Sequence, residues 1–214
     1  MKAKAYIMTT TKNIIFDLGN VLYDIDFKKM YAEFEDLGIP NFESHFTLNK
    51  SDPLFFDLEK GFIDELAFCE GFKKLSNTPL TNEQIIKGWN SLLIGFRKPS
   101  IDWVKANNEQ FDTFLYSNTN QIHYNFFIPQ FEKEVANYAF ESLFKKPYYS
   151  HEMGQRKPDP ASFQYILDKE GLVANETLFV DDNEPNIIAA ASVGLKVLFL
   201  EPGMTVENDI QAYL

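Results

Sequence analysis

Five short apolar runs, each close to continuous, constrain this chain more than any other feature. They fall at residues 13–17 (NIIFD), 113–117 (TFLYS), 177–181 (TLFVD) and 196–200 (KVLFL), with a weaker one at 148–150 (YYS). A strand with one face in water alternates apolar and polar residues, whereas a strand covered on both faces does not. Longer helical patterns separate the runs. Buried strands alternating with helices imply an α/β fold built on a doubly wound parallel sheet. Two of the helices are punctuated at both ends. One opens at Asp159-Pro160 and runs through Phe163, Ile166 and Leu167 to Gly171; the other has Pro185 in its first turn and stops at Gly194. Proline near a helix start and glycine just past its end are the expected signals.

The stretch 26–96 reads differently. Phe27, Met30, Tyr31, Phe34 and Leu37 share one helical face, as do Phe68, Cys69, Phe72 and Leu75. Thr81 and Gln84 have capping-box spacing ahead of Ile85, Ile86, Trp89, Leu92 and Leu93. No strand is expected here. The segment is too long for a plain crossover between neighbouring parallel strands and reads as a helical insertion. The expected domains are an α/β core from 1–22 and 97–214 and a helical cap from 23–96, with a return hinge at 95–100 around Pro99.

Charge and cysteine content remove several classes of function. The 31 acidic against 20 basic residues give a net charge of -11, which disfavours nucleic acid and anionic lipid as partners. A small phosphorylated ligand remains compatible, because a pocket needs only one or two cations. Cys69 is the only cysteine, so neither an internal disulfide nor a thiolate metal site is available, and a reducing cytoplasm is the expected location. No apolar run approaches the ~20 residues of a membrane span. Residues 1–12 lack the apolar core of a secretion signal.

Open parallel sheets bind ligands beyond the carboxyl ends of their strands. The first such end carries Asp17, then Leu18, Gly19 and Asn20; the second carries Ser117 and Asn118; a later one carries Asp181 and Asp182. Lys157, just before the helix start at Asp159-Pro160, can add a cation. Carboxylates crowded on one edge repel unless a cation sits among them, and hard oxygen ligands suit Mg²⁺. A carboxylate, a hydroxyl, backbone N–H groups and a lysine around one metal suit phosphoryl transfer. A strand-end aspartate can itself attack phosphorus. His45, His123 and His151 show no metal-ligand or triad spacing; of the three, His151 is the one expected to approach the site.

These residues resemble the four motifs of the haloacid dehalogenase (HAD) superfamily. The string IIFDLGNVL at 14–22 resembles its first motif, Ser117-Asn118 its second, Arg156-Lys157-Pro158 its third and VDDN at 180–183 its fourth. They stand in the family's order, with the helical insertion after the first. Asp24, Asp26 and Phe27, together with Asn183 and Asn186, are similar to a bacterial subgroup of sugar-phosphate phosphatases that includes α-glucose-1-phosphate phosphatase. The resemblance implies a Rossmann-like core with an inserted cap and a Mg²⁺-dependent phosphatase of small phosphate esters. It further implies Asp17 as nucleophile and metal ligand, the Gly19 carbonyl and Asp182 as further metal ligands, and Ser117, the Asn118 backbone and Lys157 on the phosphoryl group. Asp181 would support this shell, with Asn183, Asn186 and Asp24 as further support. The chain departs from the pattern at Gly19, where most phosphatases of the superfamily carry the aspartate that acts as general acid. A phosphate-binding pseudoenzyme and a dehalogenase-type hydrolase are therefore the alternatives.

Overall fold

The computed structural model describes residues 10–44, 52–135 and 138–214; His45 and the first nine residues lie outside them. Five parallel strands form the central sheet: β1 (Asn13–Phe16), β4 (Asp112–Ser117), β5 (Lys146–Tyr149), β6 (Thr177–Asp181) and β7 (Lys196–Phe199). They lie in the order β5-β4-β1-β6-β7. All five apolar runs are therefore strands; β1 and β7 stop one residue before the end of their runs, and so does β5, where Ser150 already begins a helix. The first strand is central: Phe16 stands opposite Leu115 on one side and Val180 on the other. That register brings the residues after β1, β4 and β6 side by side on one edge.

Alternate strand residues feed two apolar cores. Ile14, Phe16, Leu115, Leu178 and Val180 pack on one face against α5 (Lys98–Asn107) and α6 (Gln121–Glu134). Ile15, Phe114, Tyr116 and Phe179 pack on the other against α8 (Pro160–Glu170) and α9 (Glu184–Ser192). Both faces are covered, which is why the strands read as unbroken apolar runs. The helix signals hold: the Asp159 carboxylate caps α8 at Ala161 N, Gly171 ends it at φ 66°, and Pro185 lies in the first turn of α9. Short helices α7 (Ser150–Met153) and α10 (Val206–Asp209) complete the sheet-bearing part.

Between β1 and β4 lie α1 (Phe27–Asp36), α2 (Pro53–Glu59), α3 (Glu65–Ser76) and α4 (Asn82–Asn90). Both bonds of the capping box at Thr81 and Gln84 form, at 3.2 and 2.9 Å. These helices enclose a third apolar core rich in rings: Phe34, Phe42, Phe55, Phe68, Phe72 and Trp89 are all buried, and Ile122 of α6 reaches it from the sheet-bearing part. The expectation of no strand in this stretch is overturned. β2 (Tyr23–Ile25) pairs antiparallel with β3 (Leu93–Phe96), forming a two-stranded ribbon where the inserted segment leaves and returns. Such a short pair lies below what sequence periodicity can register. The region around Pro99 is also ordered structure: Gly95 and Phe96 close β3, and Pro99 occupies the first turn of α5. No helix among the described residues is long and apolar enough to cross a membrane.

Candidate active site

Three carboxylates meet at the strand edge. Oxygens of Asp17, Asp181 and Asp182 all lie within 4.8 Å of one another. Lys157 is 1% exposed, and its Nζ donates to Asp17 Oδ1 and Asp181 Oδ2, both at 2.7 Å. One lysine cannot balance three such groups. Burial, and then the charges of Asp181 and Asp182, hold the Asp17 carboxyl above the usual carboxylate range despite the ion pair with Lys157. Burial and the Asp181 charge push Asp182 in the same direction. Burial opposes the charge on Lys157, but Asp17 and Asp181 outweigh it and the amine stays protonated.

The three aspartates differ in what they have left to offer. Asp181 Oδ1 accepts from the backbone N of Asn183 (2.8 Å) and from Asn186 Nδ2 (3.2 Å), while its Oδ2 accepts from Lys157 and Asn186. With both oxygens so engaged, Asp181 acts as an anchor for Lys157. Asp17 has one oxygen on Lys157, and Asp182 has one oxygen taken by Asn20 Nδ2 at 3.0 Å. A divalent cation fits this donor set: hard oxygens from Asp17 and Asp182, with excess negative charge held out of water.

The lysine is fixed by its backbone as well as its amine. The Asn118 side chain accepts from Lys157 N and donates to Lys157 O, both at 2.9 Å, clamping the loop that carries the lysine to the end of β4. Ser117 ends β4 and is 3% exposed. Asp17, Gly19, Asn118, Lys157, Asp182, Asn183 and Asn186 share the wall of one pocket with Arg156 and Ile25. Ser117 opens onto a second cavity beside it, walled by Tyr23, Phe27, Trp89, Leu92 and Glu59, with Gly19, Ile25 and Asn118 common to both.

Asp24 and His151, both expected near the site, stand elsewhere, whereas Asp26 is a helix cap. Asp24 is half exposed and pairs with Arg97 Nε at 2.6 Å; it lines neither pocket. The Asp26 carboxylate caps α1 at Lys28 N. Of the described histidines, the one on the second cavity is His123, whereas His151 lines neither pocket. His123 is held between Trp89 O and the Asn120 side chain, so its two nitrogens serve packing. At Gly19, an added Cβ would stand 3.0 Å from Ile25 Cδ1, so an apolar side chain occupies the direction in which an acid at this position would project.

Sequence reasoning gave no role to Asn20, Arg156 or Glu59. Asn20 adopts φ 54° and holds Asp182. Arg156 forms a nearly buried ion pair with Glu59 of α2 at 2.7 Å and lies 4.6 Å from the Phe56 ring centre, joining the inserted helices to the lysine loop. Burial, against the pull of Arg156, raises the Glu59 carboxyl. Only Asn20 left a local sign, since asparagine tolerates left-handed backbone. The Glu59–Arg156 pair spans segments distant in sequence and leaves none.

A sequence family described as haloacid dehalogenase-like hydrolases matches residues 11–194. D-ribitol-5-phosphate phosphatase of Bacteroides thetaiotaomicron is 26% identical over 204 residues, covering 95% of this chain and 98% of that protein. A HAD family enzyme from the same organism, solved as an aspartate-to-alanine mutant with magnesium and inorganic phosphate, superposes with a TM-score of 0.86 at 30% identity. That match covers 91% of this chain and 96% of the solved one. A HAD-like hydrolase from Porphyromonas gingivalis superposes with a TM-score of 0.84 at 28% identity over 96% of this chain and 97% of its own.

Proposed function

The chain is a phosphatase of the haloacid dehalogenase-like hydrolase family, and from that premise we propose that it hydrolyses a small sugar or sugar-alcohol phosphate, with Mg²⁺, through an aspartyl phosphate on Asp17. The observation that carries this reading is the meeting of Asp17, Asp181 and Asp182 around a buried lysine. The ribitol phosphate specificity of the relative supports the substrate class.

In this reading Asp17, the Gly19 carbonyl and Asp182 hold Mg²⁺, which supplies charge neutralisation for carboxylates and phosphoryl oxygens. Lys157 and Ser117 hold the phosphoryl group in line with Asp17, assisted by the Asn118 backbone. The Asp17 carboxylate attacks phosphorus, the bond to the alcohol oxygen breaks, and that oxygen takes a proton from water. A water then attacks phosphorus, its proton passing to the hydroxide left by the first step, the bond to Asp17 breaks, and phosphate leaves with the carboxylate restored. Asp181, Asn183 and Asn186 keep Lys157 and its loop in place. Residues 23–96 form the cap, the core being 1–22 and 97–214, and the alcohol occupies the second cavity between them.

The test is phosphate release from pentitol, pentose and hexose phosphates with and without Mg²⁺. Release confined to samples with Mg²⁺ is expected for at least one of them. No release from any phosphate ester, with Mg²⁺ demonstrably bound, would favour a phosphate-binding pseudoenzyme.

A further inference from the structure

Asn20 sits at φ 54°, where glycine is free of steric cost and a side chain is not. Asparagine is among the few residues that tolerate such backbone, and its surroundings hold it there. Here the side chain makes two bonds: Oδ1 accepts from Ile25 N at 3.3 Å, and Nδ2 donates to Asp182 Oδ2 at 3.0 Å. The backbone is pinned too. Asn20 N donates to Tyr23 O at 2.7 Å, and Asn20 O accepts from Arg97 Nη1.

Arg97 directly follows β3, at the return of the inserted segment. Its Nε pairs with Asp24 of β2 at 2.6 Å, and its backbone N donates to Leu22 O at 2.9 Å. Both strands of the ribbon thus converge on one asparagine, and the far end of that asparagine grips a carboxylate of the metal set. We propose that Asn20 is a positioning residue for Asp182 and that Arg97 fixes Asn20, so that the ribbon sets the affinity of the site for its divalent cation. The inference rests on the reading that Asp182 binds Mg²⁺. The physical cause is orientation: with Oδ2 held by the amide, the carboxylate is fixed in place and loses less rotational freedom on binding the cation. Partners that orient a ligand in this way are typically worth about 10–100-fold in metal affinity.

The test is calorimetric titration of the full chain with Mg²⁺ alone, comparing wild type, Asp182→Asn, Asn20→Gly and Arg97→Gln. Asn20→Gly suits the local backbone, and the Arg97 side chain is 24% exposed, so both variants are expected to fold, with circular dichroism as the check. Binding weaker by about 10–100-fold is expected in Asn20→Gly, with a loss in the same direction in Arg97→Gln. A large loss in Asp182→Asn with wild-type affinity in either of the other variants would overturn this inference alone. No Mg²⁺ binding by the wild type, or undiminished binding by Asp182→Asn, would overturn the functional reading and this inference with it.

Discussion

At the residue scale, two positions give opposite lessons about acids and bases near the site. His123 looks available on the second cavity, yet burial holds its pKa down at about 4, against the bond to Trp89 O, which raises it. The unfolded chain takes up that proton near pH 6.5 while the folded chain refuses it until about pH 4, so stability is full above pH 6.5 and falls as the pH drops through this window. The loss is on the order of 3 kcal/mol. Urea unfolding of wild type and His123→Gln at pH 7 and pH 4.5 checks it: the stability gap between the two pH values should shrink in the variant, and an equal gap in both would refute it. Gly19 is the converse case, an acid that is missing. Ile25 fills the space beside it, Asp24 is paired with Arg97, and Asp26 caps a helix. On the proposed reading water is then the proton donor, and a positioned acid worth about 10²–10⁴-fold is forgone. Rates at saturating Mg²⁺ should therefore fall steeply from aryl through anomeric to simple alkyl phosphates, with Asp24→Asn and Asp26→Asn keeping wild-type rates under that condition. A large drop in either variant, confined to the poorer leaving groups, would show that it substitutes for the absent acid.

At the element scale, legibility followed the strength of local signals. β1, β4, β6 and β7 were readable because burial on both faces leaves unbroken apolar runs, and α4 because its capping box is local. The residues that meet at the strand edge could be named for the same reason: each ends a strand or lies in the turn just after it, apart from Lys157 in its loop. The ribbon of β2 and β3 was missed because strands of three and four residues lie below the resolution of periodicity. Arg97 and the Glu59–Arg156 pair were missed because their partners come from distant segments. That second pair is the main polar tie between α2 and the lysine loop. Removing one member of a buried pair strands the other charge at about 3–5 kcal/mol. Glu59→Leu should lose roughly that much in chemical denaturation, and Glu59→Leu combined with Arg156→Met should lose less than the sum of the single variants. Strict additivity would show that the pair carries no coupling.

At the scale of the whole molecule, the chain joins a sheet with two covered faces to a helical segment holding an aromatic core of its own, and the pockets lie where the two meet. The sheet edge gathers the charged groups, and the inserted helices wall the neighbouring cavity with apolar rings and one carboxylate. The proposed function divides the labour between them: the edge handles phosphate and the inserted segment selects the alcohol. Trp89→Ala should then change the ranking among sugar phosphates while Asp17-dependent hydrolysis of an aryl phosphate persists; an unchanged ranking would contradict it. The claim on which all of this depends is that phosphorus passes through Asp17. The most direct measurement is rapid quenching of the wild-type enzyme during turnover with Mg²⁺, followed by peptide mass spectrometry. The account expects a phosphoryl adduct on Asp17 and none in Asp17→Asn, which should also fail to release phosphate. Turnover that persists in Asp17→Asn, or an adduct on another residue, would contradict it.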